Sequence, residues 1–183
     1  MPYINLTYDN RPHDKIKRPL NMLEIMKLNP DAKVLTYPKL QDYSNIDELF
    51  SDTRKVIILY LLQSPTCGHW TTLFLNQDGI NYFDSYGVMP DAELELLTPE
   101  KRAQLDQEQD YLNNHLLKDY KVLYNNITLQ SKEAGTATCG CFVSHRLFYC
   151  SLDHIQYVSI FTNSKKSPDE VVSEWSFKRL GQI

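Results

Sequence analysis

Three residues of the sequence have the types and the chain order that thiol-based hydrolysis needs. His69 stands in "CGHW", Asp84 in "YFDSYG" and Cys139 in "TATCGCF". In this chemistry a thiolate attacks a carbonyl carbon, an imidazole keeps the thiol ionised and protonates the leaving amine, and a third group orients the imidazole. The pattern predicts Cys139 as the nucleophile, His69 as the base and Asp84 as the orienting group.

The elements predicted around these residues would bring them together. Residues 69–87 contain two apolar runs separated by Gln-Asp-Gly, a pattern typical of a β-hairpin. Because the start of one antiparallel strand faces the end of the next, we expect His69 and Asp84 side by side at one edge of a sheet. A helix is predicted over 139–150, so Cys139 would stand at a helix N-terminus, where the helix dipole stabilises a thiolate.

The rest of the chain alternates between predicted helices and strands. Further helices are predicted over 20–28, 45–50, 91–118 and 167–180, and further strands over 34–38, 55–62 and 121–130. The run at 55–62 is apolar at nearly every position, as in a central strand buried on both faces. This order predicts one α+β domain over residues 1–183 with a mainly antiparallel sheet, and residues 1–19 read as an N-terminal arm.

The composition favours some classes of protein and disfavours others. With 183 residues, 42% hydrophobic and 23% charged, the chain resembles a soluble globular domain. Its longest apolar run, Val56–Leu62, is too short to span a bilayer, and residues 1–15 show no secretion signal. We therefore expect four free thiols and no membrane association. The net charge of −4 disfavours nucleic acid as a partner.

Two other chemistries fit some of the same residues. Cys67, His69, Cys139 and Cys141 form a C-x-H and a C-x-C, which are four possible zinc ligands, although structural zinc sites more often use C-x-x-C. The Cys139-Gly140-Cys141 pair could exchange disulfides, but no thioredoxin-like βαβ pattern surrounds it. The sequence favours a site with no metal and no cofactor, and a non-catalytic, zinc-stabilised interaction protein stays open as an alternative.

Three short motifs resemble a known family of enzymes. "GHW", "YFDSYG" and "TCGCF" are similar to the His-Trp, Asp-x-x-Gly and Cys-Gly-x-Phe elements of the adenovirus-type and SUMO-protease-type cysteine proteases, in the same His–Asp–Cys order. The resemblance covers roughly residues 23–150. It implies a papain-like cysteine protease core, and the small size resembles the compact viral maturation proteases, with a virophage or Maverick-like source as the expectation.

The resemblance also implies roles for two further side chains. Trp70 would line the channel that holds glycine residues of the substrate. The family supplies an oxyanion-hole glutamine about six or seven residues before the nucleophile, where this chain has Glu133 and Lys132. The nearest glutamine is Gln130, nine residues before Cys139, so we expect a longer loop to bring the Gln130 amide to the oxyanion.

The function implied by the resemblance is that of a thiol endopeptidase. It would process viral capsid or core precursor proteins after glycine during particle maturation, in the virion and in the cytoplasm of the infected cell. An isopeptidase that removes a ubiquitin-like modifier is the alternative, since the same catalytic groups serve both reactions. The acidic net charge disfavours activation by DNA, and an activating peptide is left open.

Overall fold

A five-stranded sheet forms the centre of the protein, in a computed structural model that describes residues 16–64 and 67–182. The strands are β1 (Lys33–Thr36), β2 (Lys55–Ser64), β3 (Cys67–Asn76), β4 (Gly79–Phe83) and β5 (Val122–Tyr124), and they lie in chain order across the sheet. The β2–β3 and β3–β4 pairs are antiparallel, and the two edge pairs are parallel. The longest ladders are thus antiparallel, and the predicted α+β class is confirmed.

Helices cover the sheet. They are α1 (Met22–Leu28), α2 (Ile46–Leu49), α3 (Pro99–Gln104), α4 (Cys139–Phe148), α5 (His154–Thr162) and α6 (Pro168–Arg179). Short 3₁₀ turns span Tyr37–Asp42 and Ala92–Leu96, and a π-helical turn spans Leu112–Leu116. No helix among the described residues combines the length and the apolar character that crossing a bilayer requires.

Strand β2 is buried on both faces, as its sequence predicts. Every side chain from Val56 to Leu61 is buried. Because side chains alternate along a strand, Ile57 and Leu59 pack in the apolar cluster that contains α4, whereas Ile58 and Tyr60 pack in a second cluster on the other face. The sheet is therefore the middle layer between two apolar cores.

Helix α4 carries the candidate nucleophile and is almost entirely buried. Its residues from Cys139 to Leu147 are all inaccessible or nearly so. At its C-terminal end the Arg146 guanidinium donates to the backbone carbonyls of Tyr149 and Leu152, at 2.7 and 2.8 Å. These bonds give partners to the two terminal nitrogens of a buried cation and to two carbonyl groups beyond the helix, and α4 ends at Phe148, two residues before its predicted end.

The predicted strand over 121–130 is wrong beyond Tyr124. Asn125 leaves the sheet, and its side-chain amide binds the backbone of Asp84. Its Oδ1 atom accepts from the Asp84 N–H at 3.1 Å, and its Nδ2 atom donates to the Asp84 carbonyl at 2.7 Å. Farther on, the N–H groups of Leu129 and Gln130 donate to the Ser85 carbonyl. The segment therefore supports the loop after β4, because its hydrogen-bonding groups have partners there.

Other differences from the predicted elements are local. The predicted helical region 91–118 is divided into three short pieces, and α5 was not predicted at all. Helix α1 begins at Met22, capped by Asn21 in a capping box with Glu24, and not at Pro19–Leu20. Residues 1–15 of the predicted N-terminal arm lie outside the described part of the chain.

Candidate active site

His69 and Asp84 form a buried pair at one end of the β3–β4 hairpin. His69 lies near the start of β3, and Asp84 follows the last residue of β4. The His69 Nε2 and Asp84 Oδ2 atoms are 2.8 Å apart, and both side chains are buried. The second carboxylate oxygen, Oδ1, accepts from the Tyr86 N–H at 2.6 Å. The hairpin therefore brings the predicted base and orienting group together.

A glycine lets the strand that carries His69 approach its neighbour. Gly68 pairs with Leu61 and His69 with Tyr60 in the β2–β3 ladder. A Cβ atom at Gly68 would lie 1.7 Å from the Tyr60 carbonyl oxygen, which no side chain can tolerate. The glycine of "CGHW" is therefore required for the backbone contact that sets the position of His69.

Cys139 lies at the first position of α4, facing the histidine. Since the Nε2 atom of His69 binds Asp84, its Nδ1 atom is the ring nitrogen left for the neighbouring Cys139 sulfur, which contributes to the raised pKa of the imidazole. The backbone N–H of Cys139 belongs to the first turn of the helix, where N–H groups have no intrahelical partner. The three residues predicted as nucleophile, base and orienting group are thus neighbours.

The charged groups around His69 favour the protonated form of its imidazole. Burial by itself lowers the pKa of His69, but the Asp84 carboxylate, and secondarily the Cys139 sulfur, raise the pKa well above its usual range. An imidazolium beside a thiol stabilises the thiolate. The site can therefore hold a charged imidazole beside the Cys139 sulfur.

Gln130 reaches the same site in spite of its unusual spacing. Its side chain is buried, with Oε1 accepting from the Ser85 hydroxyl at 2.7 Å and Nε2 donating to the Tyr86 hydroxyl at 3.1 Å. Glu133, which stands nearer the spacing expected from the sequence, is exposed. The loop that follows Gln130 therefore leaves Glu133 in solvent.

These side chains surround one cavity of about 550 Å³. Its lining includes the candidate catalytic residues His69, Gln130 and Cys139 together with Trp70, Tyr86 and Glu93, and apolar groups such as Leu20, Leu62, Leu96 and Ala137. Trp70 is buried, and the position of a Cβ atom at Gly140 would lie only 3.4 Å from its ring. All five residues predicted for the site border this cavity or, in the case of Asp84, bind a residue that does.

The structure does not bring the four proposed zinc ligands together. In the part of the chain that the structure describes, no cluster of metal-ligating side chains includes a cysteine. Cys141 is fully buried near Ser173 and Ser176 of α6, and burial raises its pKa to about 12. A protonated, buried thiol is unsuited both to binding zinc and to exchanging disulfides with its neighbour.

Two residues at the site were missed by sequence reasoning. Tyr86 stacks on the His69 ring at a centroid distance of 5.0 Å and binds Gln130 through its hydroxyl. It stands two residues after Asp84, so its place next to the orienting group could have indicated this role. Glu93 lines the cavity, but the sequence "AELELL" contains nothing that separates it from the exposed Glu95.

Comparison with known proteins identifies a relative in a virophage. No protein-family model matches the chain. The chain is 30% identical over 152 residues to a protein of Sputnik virophage described as "Uncharacterized protein V9", a match that covers 80% of this chain and 86% of that protein. The chain belongs to the V9 family. This relative agrees with the virophage-type source expected from the sequence.

Solved structures resemble this V9-family chain only in part. The ASFV pS273R protease is 16% identical, with 87% of this chain and 67% of that chain covered and a TM-score of 0.44. The central domain of Lpg1148 from Legionella pneumophila is 14% identical, with coverages of 89% and 98% and a TM-score of 0.43. Cdu1 of Chlamydia trachomatis, in a complex with ubiquitin, is 14% identical, with coverages of 89% and 81% and a TM-score of 0.41.

Proposed function

We propose that the protein is a cysteine endopeptidase in which Cys139, His69 and Asp84 act as a catalytic triad. The observation that carries the proposal is the buried His69–Asp84 pair next to Cys139 at the N-terminus of α4. His69 and Cys139 border a cavity large enough for an extended peptide segment. The site has each group that the chemistry needs, in the required order.

The geometry supports the following reaction. The Cys139 thiolate attacks the carbonyl carbon of the scissile bond, and the oxygen of the tetrahedral intermediate accepts hydrogen bonds from the Gln130 amide and the Cys139 N–H. The His69 imidazolium then gives its proton to the leaving nitrogen as the C–N bond breaks, which leaves a thioester. A water molecule, deprotonated by His69, attacks the thioester and releases the acid, and the thiol returns to its starting state.

The substrates that we propose are capsid or core precursor proteins, cleaved after glycine. Support comes from the virophage relative and from the motifs that resemble those of viral maturation proteases. Trp70, beside Gly140 at the nucleophile, offers an apolar wall against which a chain without side chains could lie.

The direct test is to incubate the purified protein with the capsid proteins encoded by the same genome and to map new termini by mass spectrometry. We expect new termini after glycine with the wild type and none with Cys139→Ala, which serves as the matched control. Intact capsid proteins with both would contradict the proposed substrates.

A parallel reaction separates the endopeptidase from the isopeptidase. Fusions of ubiquitin or a ubiquitin-like modifier to a lysine side chain should stay intact under conditions in which capsid precursors are cut. Rapid release of the modifier, with intact capsid proteins, would assign the triad to modifier removal.

A further inference from the structure

Glu93 is a buried carboxylate on the wall of the catalytic cavity for which the proposed reaction has no use. Its side chain is only 5% exposed, yet it borders the cavity together with His69 and Cys139. Carboxylate oxygens of Glu93 and Asp84 and a ring nitrogen of His69 all lie within 4.8 Å of one another. Glu93 therefore stands beside the catalytic base.

The Glu93 carboxylate lacks the hydrogen bonds that a buried acid normally has. Among residues 16–64 and 67–182, no donor makes a hydrogen bond or an ion pair to it. None of the described residues that line the cavity is a lysine or an arginine. Because a buried carboxylate without a partner is costly, its position on an open cavity indicates that it binds a donor that enters the cavity.

The backbone that carries Glu93 is held firmly. The preceding Asp91 has a left-handed φ of 65° and accepts hydrogen bonds from the Tyr37 hydroxyl at 2.7 Å and from the Asn113 N–H at 2.7 Å. The 3₁₀ turn Ala92–Leu96 begins at this anchored residue. Glu93 is thus fixed at the cavity in the way that a recognition residue needs to be.

The other groups that face Glu93 do not balance its negative charge throughout the proposed reaction. Asp84, Tyr82 and Tyr86 are electrostatic neighbours, and His69 is the nearby group that can carry positive charge. Burial, joined by the Asp84 carboxylate, raises the pKa of Glu93 above its usual range, although His69 acts to lower it. During the reaction His69 gives up its proton to the leaving amine, so a second cation next to Glu93 would keep the site balanced at that step.

We propose that Glu93 is a specificity-determining residue that binds a lysine or arginine side chain of the substrate on the leaving-group side of the scissile bond. This assignment rests on the proposed protease function. We choose the leaving-group side because Glu93 lines the cavity together with His69, the residue that protonates the leaving nitrogen in the proposed reaction. We choose a cation over a neutral donor because a hydrogen bond between opposite charges is roughly twice as strong as a neutral one, and no described lining residue is a lysine or an arginine.

Three internally quenched peptides test the assignment. They share Gly-Gly before the scissile bond and differ only in the residue after it, which is lysine, norleucine or glutamate. Norleucine keeps the apolar stem of lysine and removes the charge. Wild type should cleave the lysine peptide with a kcat/KM about tenfold or more above that for norleucine, and the glutamate peptide most slowly.

Two variants show whether Glu93 causes this preference. Glu93→Gln should bring the lysine-to-norleucine ratio of kcat/KM close to one. Glu95→Gln, an exposed residue on the same 3₁₀ turn, should keep the wild-type ratio. Thermal unfolding of each variant checks that the fold is intact. A wild type without a lysine preference, or Glu93→Gln that retains it, would overturn the assignment.

A Gly-Gly aminomethylcoumarin substrate separates this inference from the proposed function. It carries no amino acid on the leaving-group side, so its cleavage depends on the triad and not on a leaving-side residue. Cleavage of the coumarin substrate without a lysine preference contradicts the role of Glu93 alone. A wild type that cleaves neither the coumarin substrate nor any peptide contradicts the protease function and this assignment with it.

Discussion

Each oxygen of the Asp84 carboxylate has its own hydrogen-bond partner. One oxygen faces the His69 ring, and the other accepts from the Tyr86 N–H, so the carboxylate fixes both the base and the loop that holds the ring stacked on it. The Asn125 side chain in turn holds the Asp84 backbone from both sides. Orientation of His69 therefore depends on an acceptor that has no freedom to move.

Loss of Asp84 should be severe, but less so than loss of the base. We expect Asp84→Ala to keep a kcat/KM roughly 10- to 100-fold above that of His69→Ala. His69→Ala should approach the effect of Cys139→Ala, because nucleophile and base act as a unit. Asp84→Asn should retain partial activity, since one amide oxygen can replace only one of two acceptors. Steady-state kinetics on one peptide checks this order. Full-rate cleavage by Asp84→Ala would mean that His69 is oriented by another group.

Gln130 should contribute to turnover and not to substrate binding. Its amide would meet an oxygen that becomes negative only as the thiolate attacks, so Gln130→Ala should lower kcat by about 10²–10³ with little change in KM. Glu133→Ala is the matched control, because Glu133 is exposed and lies in the same loop. A hundredfold loss in Glu133→Ala together with wild-type turnover in Gln130→Ala would reverse the assignment.

Helix α6 holds the loop between Gln130 and the nucleophile. Asp169, in the first turn of α6, is buried and accepts from the Thr138 hydroxyl and, at 2.9 Å, from the Ser131 N–H. These two partners lie at the two ends of the loop, next to Gln130 and Cys139. A single carboxylate therefore sets the spacing between Gln130 and Cys139.

Removal of this carboxylate should affect both activity and stability. Hydrogen bonds to a buried charged acceptor are worth roughly 1.5–3 kcal/mol each, so Asp169→Ala should lower the free energy of unfolding by about that amount or more and also reduce kcat. Asp169→Asn, which keeps one acceptor, should recover part of both. Glu174→Gln on the same helix is the control, since it breaks only a surface ion pair with Lys166. Unchanged kcat in Asp169→Ala would show that the loop is held by other contacts.

His145 is buried where α4 packs against α5 and α6, and we expect it to make the free energy of unfolding depend on pH. Its Nδ1 atom lies 3.0 Å from the Tyr157 hydroxyl, and its ring packs on Trp175. Burial, then Arg179 and Arg146, lower its pKa to about 4. In the unfolded chain the His145 imidazole takes up a proton near pH 6.5, whereas in the folded protein it stays neutral until about pH 4. The contribution of the neutral His145 to the free energy of unfolding is therefore fully present above pH 6.5 and is lost as the pH falls toward 4.

The expected slope from His145 is up to about 1.4 kcal/mol per pH unit between these limits. Urea unfolding at pH 7 and pH 5 measures it. The loss on acidification should be smaller in His145→Phe than in wild type, whereas the exposed His115→Gln should behave like wild type. An equal loss in wild type and His145→Phe would assign the acid sensitivity to other groups.

Across the whole molecule, the sequence was most informative where a local pattern and a local structure coincide. The hairpin that pairs His69 with Asp84 follows from alternating apolar residues around a turn, and the buried β2 follows from its unbroken apolar run. The position of Cys139 at a helix start follows from the small residues before it and the apolar run after it. These predictions are confirmed by β3, β4 and α4.

Features that depend on contacts between distant segments could not be read in this way. The path of residues 125–130 is set by hydrogen bonds to Asp84 and Ser85, about 40 residues earlier. The spacing of apolar residues in the sequence does not reveal these hydrogen bonds. The burial of Glu93 depends on how the anchored Asp91 directs the turn that follows it. The sequence could therefore indicate that His69 and Asp84 lie together and that Cys139 begins a helix, but it could not reveal the wall of the cavity around them.

The central claim, a thiolate at Cys139 maintained by His69, is tested most directly by competitive labelling of the four cysteines with iodoacetamide at pH 6, mapped by mass spectrometry. Cys67 is exposed and Cys139 is only 9% exposed, so accessibility alone would favour Cys67. We predict that Cys139 is labelled first and that His69→Ala removes this advantage, because the imidazolium stabilises the thiolate. Faster labelling of Cys67, with a Cys139 rate that His69→Ala leaves unchanged, would contradict the account.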